Sequence, residues 1–262
     1  MKTQRFNARR NDELRRLSVT FNSFTQADGS VLLQLGKTTV LCSVTMQSGV
    51  PRFLKGKGVG WLTAEYAMLP AATATRTQRA CTQANANGRS VEISRFIGRV
   101  LRATTDLERL GERTIHIDCD VLCADGGTRT ASIIAATIAL RYAQRRWLEK
   151  KEIMFPFIRD SIAALSVGIV GDTVLLDPDY QEDAFLDADL NFVMTQSGAL
   201  IEIQGGAEKN PIEWHLFDQV RTLVEPAMQT IFSFIEQQSE IALPTGTAKT
   251  PVDLLKKHFM NK

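Results

Sequence analysis

The sequence predicts an α+β fold built from two related β/α halves. Strand-like runs come in pairs around glycine turns, and helical apolar stripes follow them. This strand-then-helix order occurs twice, over about 15–150 and about 160–240. Regular βαβ alternation is missing, and so are a Rossmann fingerprint and a Walker motif. The "GKTT" at Gly36 lacks the upstream glycine of a phosphate loop.

Taken in order, "SVLLQLGKTTVLCSVTM" places two β-rich runs around Gly36-Lys37, a hairpin. Residues 47–88 read as a long loop, with Gly49, Pro51, "KGKGVG" and Pro70 breaking any pattern. Such a connection calls for a function or a covering partner, all the more because it carries Phe53, Trp61, Tyr66 and Met68. Apolar residues at 93, 96, 97, 100 and 101 then mark a helix, with Ser90 near its start and Gly111 as its stop. Ile115, Ile117 and Cys119 alternate with His116, Asp118 and Asp120, the pattern of a half-buried strand. A deeply buried helix is expected from about Ala131 to Trp147. Hairpins follow around Gly171-Asp172 and Ser197-Gly198. The last long helix, roughly Glu213 to Gln238, is strongly amphipathic and carries Pro226, an expected kink. The chain is read as one domain over residues 1–262, with a tail at 243–262 that is poorly ordered or docks on a partner.

Composition narrows the class. With 262 residues, 44% hydrophobic and 23% charged, the chain is globular and large enough for a substantial core. No apolar run suits a membrane span, and the basic N-terminus has no apolar segment of the kind a secretory signal needs. The four cysteines, at 42, 81, 119 and 123, show no C-x-x-C spacing, which points to reduced thiols and a cytoplasmic protein. The three histidines, at 116, 215 and 258, are too scattered for structural zinc.

Net charge is only +2, but its distribution is uneven. Six arginines and no lysine lie between Arg76 and Arg102, against one acid, Glu92. Six acids and no base lie between Asp177 and Asp189. Arginine suits planar, bidentate recognition of phosphate, and clustered carboxylates suit a divalent cation. The stretch "ADGGTRTAS" (124–132) sharpens this. Its glycines and threonines are good turn and cap residues, yet they also open a helix whose unpaired amides, beside Arg129, suit an anion. On this stretch alone both readings stand. Asp120 and Asp125 read as cap and turn residues.

Several longer stretches carry a resemblance: "GVPRFLKGKGVGWLTAEYAMLP" (49–70), "GRSVEISRFIGRVLRA" (88–103), "GERTIHIDCDVLCADGGTRTASI" (111–133), "LSVGIV" (165–170), "YQEDAFLDADLNFVMT" (180–195) and "IEIQGGAE" (201–208). The chain resembles the ribonuclease PH family of bacterial phosphorolytic 3′-to-5′ exoribonucleases, or tRNA nucleotidyltransferases. The resemblance implies the ribonuclease PH fold (ribosomal protein S5 domain 2-like) and trimming of tRNA precursors with inorganic phosphate as co-substrate. It implies that Arg89, Gly127, Thr128 and Arg129 hold phosphate, and that Asp183 and Asp189 are catalytic and hold Mg²⁺. Arg76 and Arg79 match a loop used in subunit packing and RNA binding, within a hexameric ring built as a trimer of dimers. A non-catalytic RNA-binding ring subunit is the alternative. Such a subunit would not need the phosphate arginines or the aspartate pair, which this chain retains. Two departures stand out: "RFNAR" (5–9) replaces the family's Arg-Pro-Asp-Gly-Arg opening, and "AEKNPIEWHLFDQV" departs after Glu208.

Overall fold

The computed structural model describes residues 5, 8–79 and 88–241. The first half runs β1 (Leu17–Phe21), β2 (Gly29–Leu35), β3 (Thr38–Ser48), β4 (Trp61–Met68), α1 (Gly88–Ala103), α2 (Leu107–Leu110), β5 (Arg113–Cys123) and α3 (Thr128–Glu149). The second runs β6 (Ile162–Val170), β7 (Thr173–Leu176), α4 (Tyr180–Asp183), β8 (Ala188–Thr195), β9 (Leu200–Ala207) and α5 (Trp214–Ile241). The sheets have the orders β1-β2-β3-β5-β4 and β7-β6-β8-β9.

The three predicted hairpins form where expected, as β2–β3, β6–β7 and β8–β9. The predicted long loop does not. Residues 61–68 form β4, which pairs in parallel with β5 from Trp61↔Thr114 to Met68↔Val121. Leu62, Ala64 and Tyr66 point into the core in strict alternation. The flanking glycines and Pro70 hid that period, and a parallel partner lies beyond a whole crossover helix, here α1. One further correction is local. Gly111 closes the short α2, capped at its start by Asp106, and not α1. Helix α5 carries Pro226 in its interior, as predicted.

The two halves share one apolar core. Helix α3 is its axis: Ala131, Ile133, Ala135, Ala136, Ile138 and Ala139 are all buried, because the helix lies between the two sheets. A helix buried on every side needs apolar residues all round, as its sequence has. Burial there fixes where the helix begins, and the candidate site stands at that beginning. Of the predicted core thiols, Cys42 and Cys119 face each other across β3 and β5 with sulfurs 3.7 Å apart, whereas Cys123 is exposed. Cys81 lies outside the described residues. So does the predicted tail at 243–262.

Gly205 shows how tightly the second sheet sets the site. It adopts φ +136°, and a Cβ there would lie 2.0 Å from the carbonyl oxygen of Asp189 on the neighbouring strand. Gly205→Ala should therefore cost roughly 1–3 kcal/mol from backbone strain, before any displacement of β9 is counted. A lowered denaturation midpoint together with lost activity is the expected pair of results. An unchanged midpoint would show that β9 has slack.

Candidate active site

Two helix starts and one strand-turn segment converge on a cavity of about 600 Å³. From the first half come Arg89 in the opening turn of α1 and Gly126, Gly127, Thr128 and Arg129 at the start of α3. From the second come Asp183 at the end of α4 and Asp189 on β8. All the residues predicted to hold phosphate and metal line this one cavity.

The turn before α3 has a geometry suited to an anion, for local reasons. Gly126 and Gly127 have φ of +79° and +62°, and Gly127 offers α3 no side-chain cap. The amides of the first helical turn lack partners within the helix, so they are left to a ligand in the cavity. A Cβ on Gly126 would lie 2.7 Å from the carbonyl oxygen of Pro178, so the turn sits directly on the second half.

Side chains to which sequence reasoning gave no part in the site hold these groups in place. Tyr66 donates its hydroxyl to Thr128 Oγ1 at 2.9 Å. Arg129 donates to Gln204 Oε1 at 2.9 Å and lies 3.7 Å from Glu92. Gln204 in turn donates to Glu92 at 2.6 Å. A chain of contacts from Thr130 through Ser166 and Asn191 ends at Asp189, where the Asn191 amide donates at 3.1 Å. All of them lie in stretches that the resemblance had marked, but the resemblance gave none of them a role.

The electrostatics join the carboxylates to the arginines. Asp183 stands at the open mouth, yet partial desolvation, followed by the charge of Glu208, raises its pKa above the ordinary carboxylate value. Arg89 and Arg129 pull it down again. Asp189 is also raised, by burial and then by Asp183, with Asn191 and Arg129 opposing. Asp189 feels Asp183, and Arg129 is felt by both.

Other predicted residues fall elsewhere. Arg76 and Arg79 are exposed on the loop after β4, whose Thr73, Thr77 and Gln78 border the cavity. Asp125 is a turn residue, as expected. Asp120 is not a cap: it sits on the open face of β5, where burial and then the charge of Glu65 raise its pKa. His116 lies on the same face.

Comparison with known proteins decides the family. Residues 13–146 match the 3′ exoribonuclease family, domain 1, and residues 160–220 match domain 2. The chain belongs to the ribonuclease PH (3′ exoribonuclease) family. Among solved structures with this family's fold, one is described as the Archaeoglobus fulgidus exosome with RNA bound to the active site. That chain shares 24% identity at a TM-score of 0.76, covering 88% of this chain and 92% of the other. Another is rice (Oryza sativa) Rrp46, with 18% identity, a TM-score of 0.72, and coverage of 90% and 100%. A chain of an archaeal exosome core gives 23%, 0.72, 89% and 91%. At these identities the likeness establishes the ribonuclease PH fold alone.

The donor set suits the divalent ion that the family resemblance implies. Asp183 and Asp189 offer hard oxygens raised in pKa partly by like charge, a cost that a cation relieves. Among the described residues no group of three or more acidic, histidine or cysteine side chains is placed to hold a metal. Mg²⁺ needs few protein ligands, since substrate phosphates and water complete its shell.

Proposed function

We propose that this chain is a phosphate-dependent 3′-to-5′ exoribonuclease that trims tRNA precursors. The observation that carries this reading is the shared cavity: two arginines at helix starts face two aspartates from the other half of the fold. In the reaction, an oxygen of inorganic phosphate forms a bond to the phosphorus of the terminal 3′,5′-phosphodiester. The bond to the 3′-oxygen of the preceding nucleotide breaks, that oxygen gains a proton, and a nucleoside 5′-diphosphate leaves. Arg89, Arg129 and the first amides of α3 bind and orient the nucleophile and offset its charge. Asp183 and Asp189 would hold Mg²⁺, which when bound would supply charge stabilisation for the transferring phosphoryl group and the leaving oxygen. Among the described residues no histidine lines the cavity, and phosphate, largely dianionic at neutral pH, needs none as a base. Run backwards, the same steps add nucleotides from diphosphates.

A second reading has the solved structures on its side. Two of them are described as exosome structures, one with RNA bound, and that supports an RNA-binding subunit of a ring, the reading in which this chain is non-catalytic. One assay separates the readings: a 3′-extended tRNA with Mg²⁺, with and without phosphate. Release of nucleoside diphosphates only with phosphate supports the first. Binding without release supports the second, and monophosphates under both conditions mean hydrolysis.

Both readings place the chain in a ring, and we propose a homohexamer arranged as a trimer of dimers. The number six comes from the family resemblance. Of the apolar residues predicted for such a contact, Tyr66 is buried and Trp61 packs edge-on against Phe53, but Phe53 itself is 58% exposed. Further exposed apolar groups lie at Phe185, Leu200, Ile203 and Trp214. Arg76→Ala combined with Arg79→Ala should weaken tRNA precursors more than short single strands, and should lower the salt slope of binding by roughly 2. Binding titrations over a salt series, with light scattering to follow assembly, test this. A fully active monomer would overturn the ring.

A further inference from the structure

We propose that the N-terminal arm is a positioning element of this site, in which Arg15, through Asp177, sets the spacing between the phosphate cradle and the aspartate pair. The inference rests on the phosphorolytic reading above. Arg15 divides its donors between the two halves. Its Nε and Nη2 donate to the two oxygens of the Asp177 carboxylate at 2.9 and 2.6 Å, and its backbone amide adds a third bond at 2.8 Å. Its Nη1 donates to the carbonyl of Asp125 at 2.5 Å, and weaker contacts at 3.4 Å reach Gly126. The guanidinium thus ties the turn that opens α3 to the segment that leads into α4.

Asp177 is built for this contact and not for a metal. It is 1% exposed and holds a left-handed backbone, φ +50°, which few residues other than glycine, asparagine and aspartate accept. Six residues further on is Asp183, whose amide is bonded to Asp179, the cap of α4. The rest of the arm grips the same segment. Arg5 makes a two-pronged contact to Glu182 at 2.6 Å for each bond and donates to the carbonyl of Leu176. Arg9 donates to the carbonyl of Asp177 at 3.0 Å and to Glu182 at 3.2 Å. Buried ion pairs seldom add stability over apolar packing of the same volume, and a role in fixing geometry accounts for keeping one here. Burial works against the charge on Arg15, but the hydrogen bond and charge of Asp177 outweigh it and hold its pKa above the ordinary arginine value. The departure at "RFNAR" therefore keeps the two arginines that matter, at 5 and 9.

Arg15→Gln, Arg15→Lys and Asp177→Asn test the proposal, the last because asparagine accepts the same backbone conformation. Phosphorolysis of a 3′-extended RNA is measured per folded molecule, with phosphate, Mg²⁺ and RNA varied separately. Misplacement by about 1 Å lowers such rates by about 100-fold, so kcat/KM for phosphate should fall by that order in Arg15→Gln. The KM for RNA should stay within about threefold of the parent, since its phosphate contacts lie on other residues. Arg15→Lys, which keeps the charge but reaches only one half, should recover part of the loss. If Arg15→Gln does not fold, Asp177→Asn carries the test. A variant with a lower Tm and an unchanged kcat/KM for phosphate overturns the proposal. If the parent releases no nucleoside diphosphate, the phosphorolytic reading fails separately, and calorimetry with inorganic phosphate decides the arm's role. Weaker binding in Arg15→Gln supports it, equal binding refutes it, and no binding to the parent refutes both.

Discussion

Replacing Arg129 by alanine should abolish phosphate-dependent turnover while RNA binding and stability survive. The side chain is oriented by Gln204 and stands 3.7 Å from Glu92, so its guanidinium is fixed before any ligand arrives. Losing one such preorganised donor costs about 10²–10³-fold in rate, and a bidentate charged one belongs at the upper end. Stability should change little, because the Glu92 side chain left behind is 45% exposed and water can solvate it. Arg89→Lys should be milder, since lysine restores the charge as a single point without the planar fork. The measurement is the initial rate of diphosphate release at low phosphate, where loss of nucleophile binding shows most. An undiminished rate in Arg129→Ala would remove the phosphate assignment.

Asp183→Asn and Asp189→Asn should each cut turnover by about 10²–10³-fold, since each keeps the shape of a ligand and removes the charge a cation needs. Their stability should hold or rise. Both carboxyls have pKa values raised by desolvation first and like charge second, so the folded protein binds these protons more tightly than the unfolded chain does. Ionisation at neutral pH therefore costs stability. As pH falls through the raised folded values towards the unfolded value of about 3.9, the parent should gain stability from these groups. The asparagine variants should lack that gain, and Mg²⁺ should raise the Tm of the parent but not of the variants. If both variants lose their fold while any folded remainder keeps full activity, the aspartates are structural.

Much of the site can be read along the chain because its chemistry is local. Gly126-Gly127 followed by Thr128-Arg129 offers a turn-and-cap reading and an anion reading within four residues, and the acids from Asp177 to Asp189 stand out as one run. What the run does not reveal is a division of labour. Asp183 and Asp189 face the cavity, whereas Asp177 and Glu182 are turned away and held by arginines from the N-terminal arm. Charge and spacing are alike for all four, and only their burial and partners separate them.

The sequence by itself determined the α+β class, the hairpins, the buried character of α3 and the residue types of both halves of the site. Each of these follows from a period or a turn spanning a few residues. Tertiary structure alone decided β4, whose parallel partner lies beyond a helix, and the roles of Tyr66, Gln204, Asn191 and Arg15. Those roles arise where segments more than 20 residues apart in sequence meet, within one half for Tyr66 with Thr128 and across the joint for Arg15 with Asp177, 162 positions away. Nothing in either local pattern encodes such a meeting, because it is fixed by how α3 packs between the two sheets.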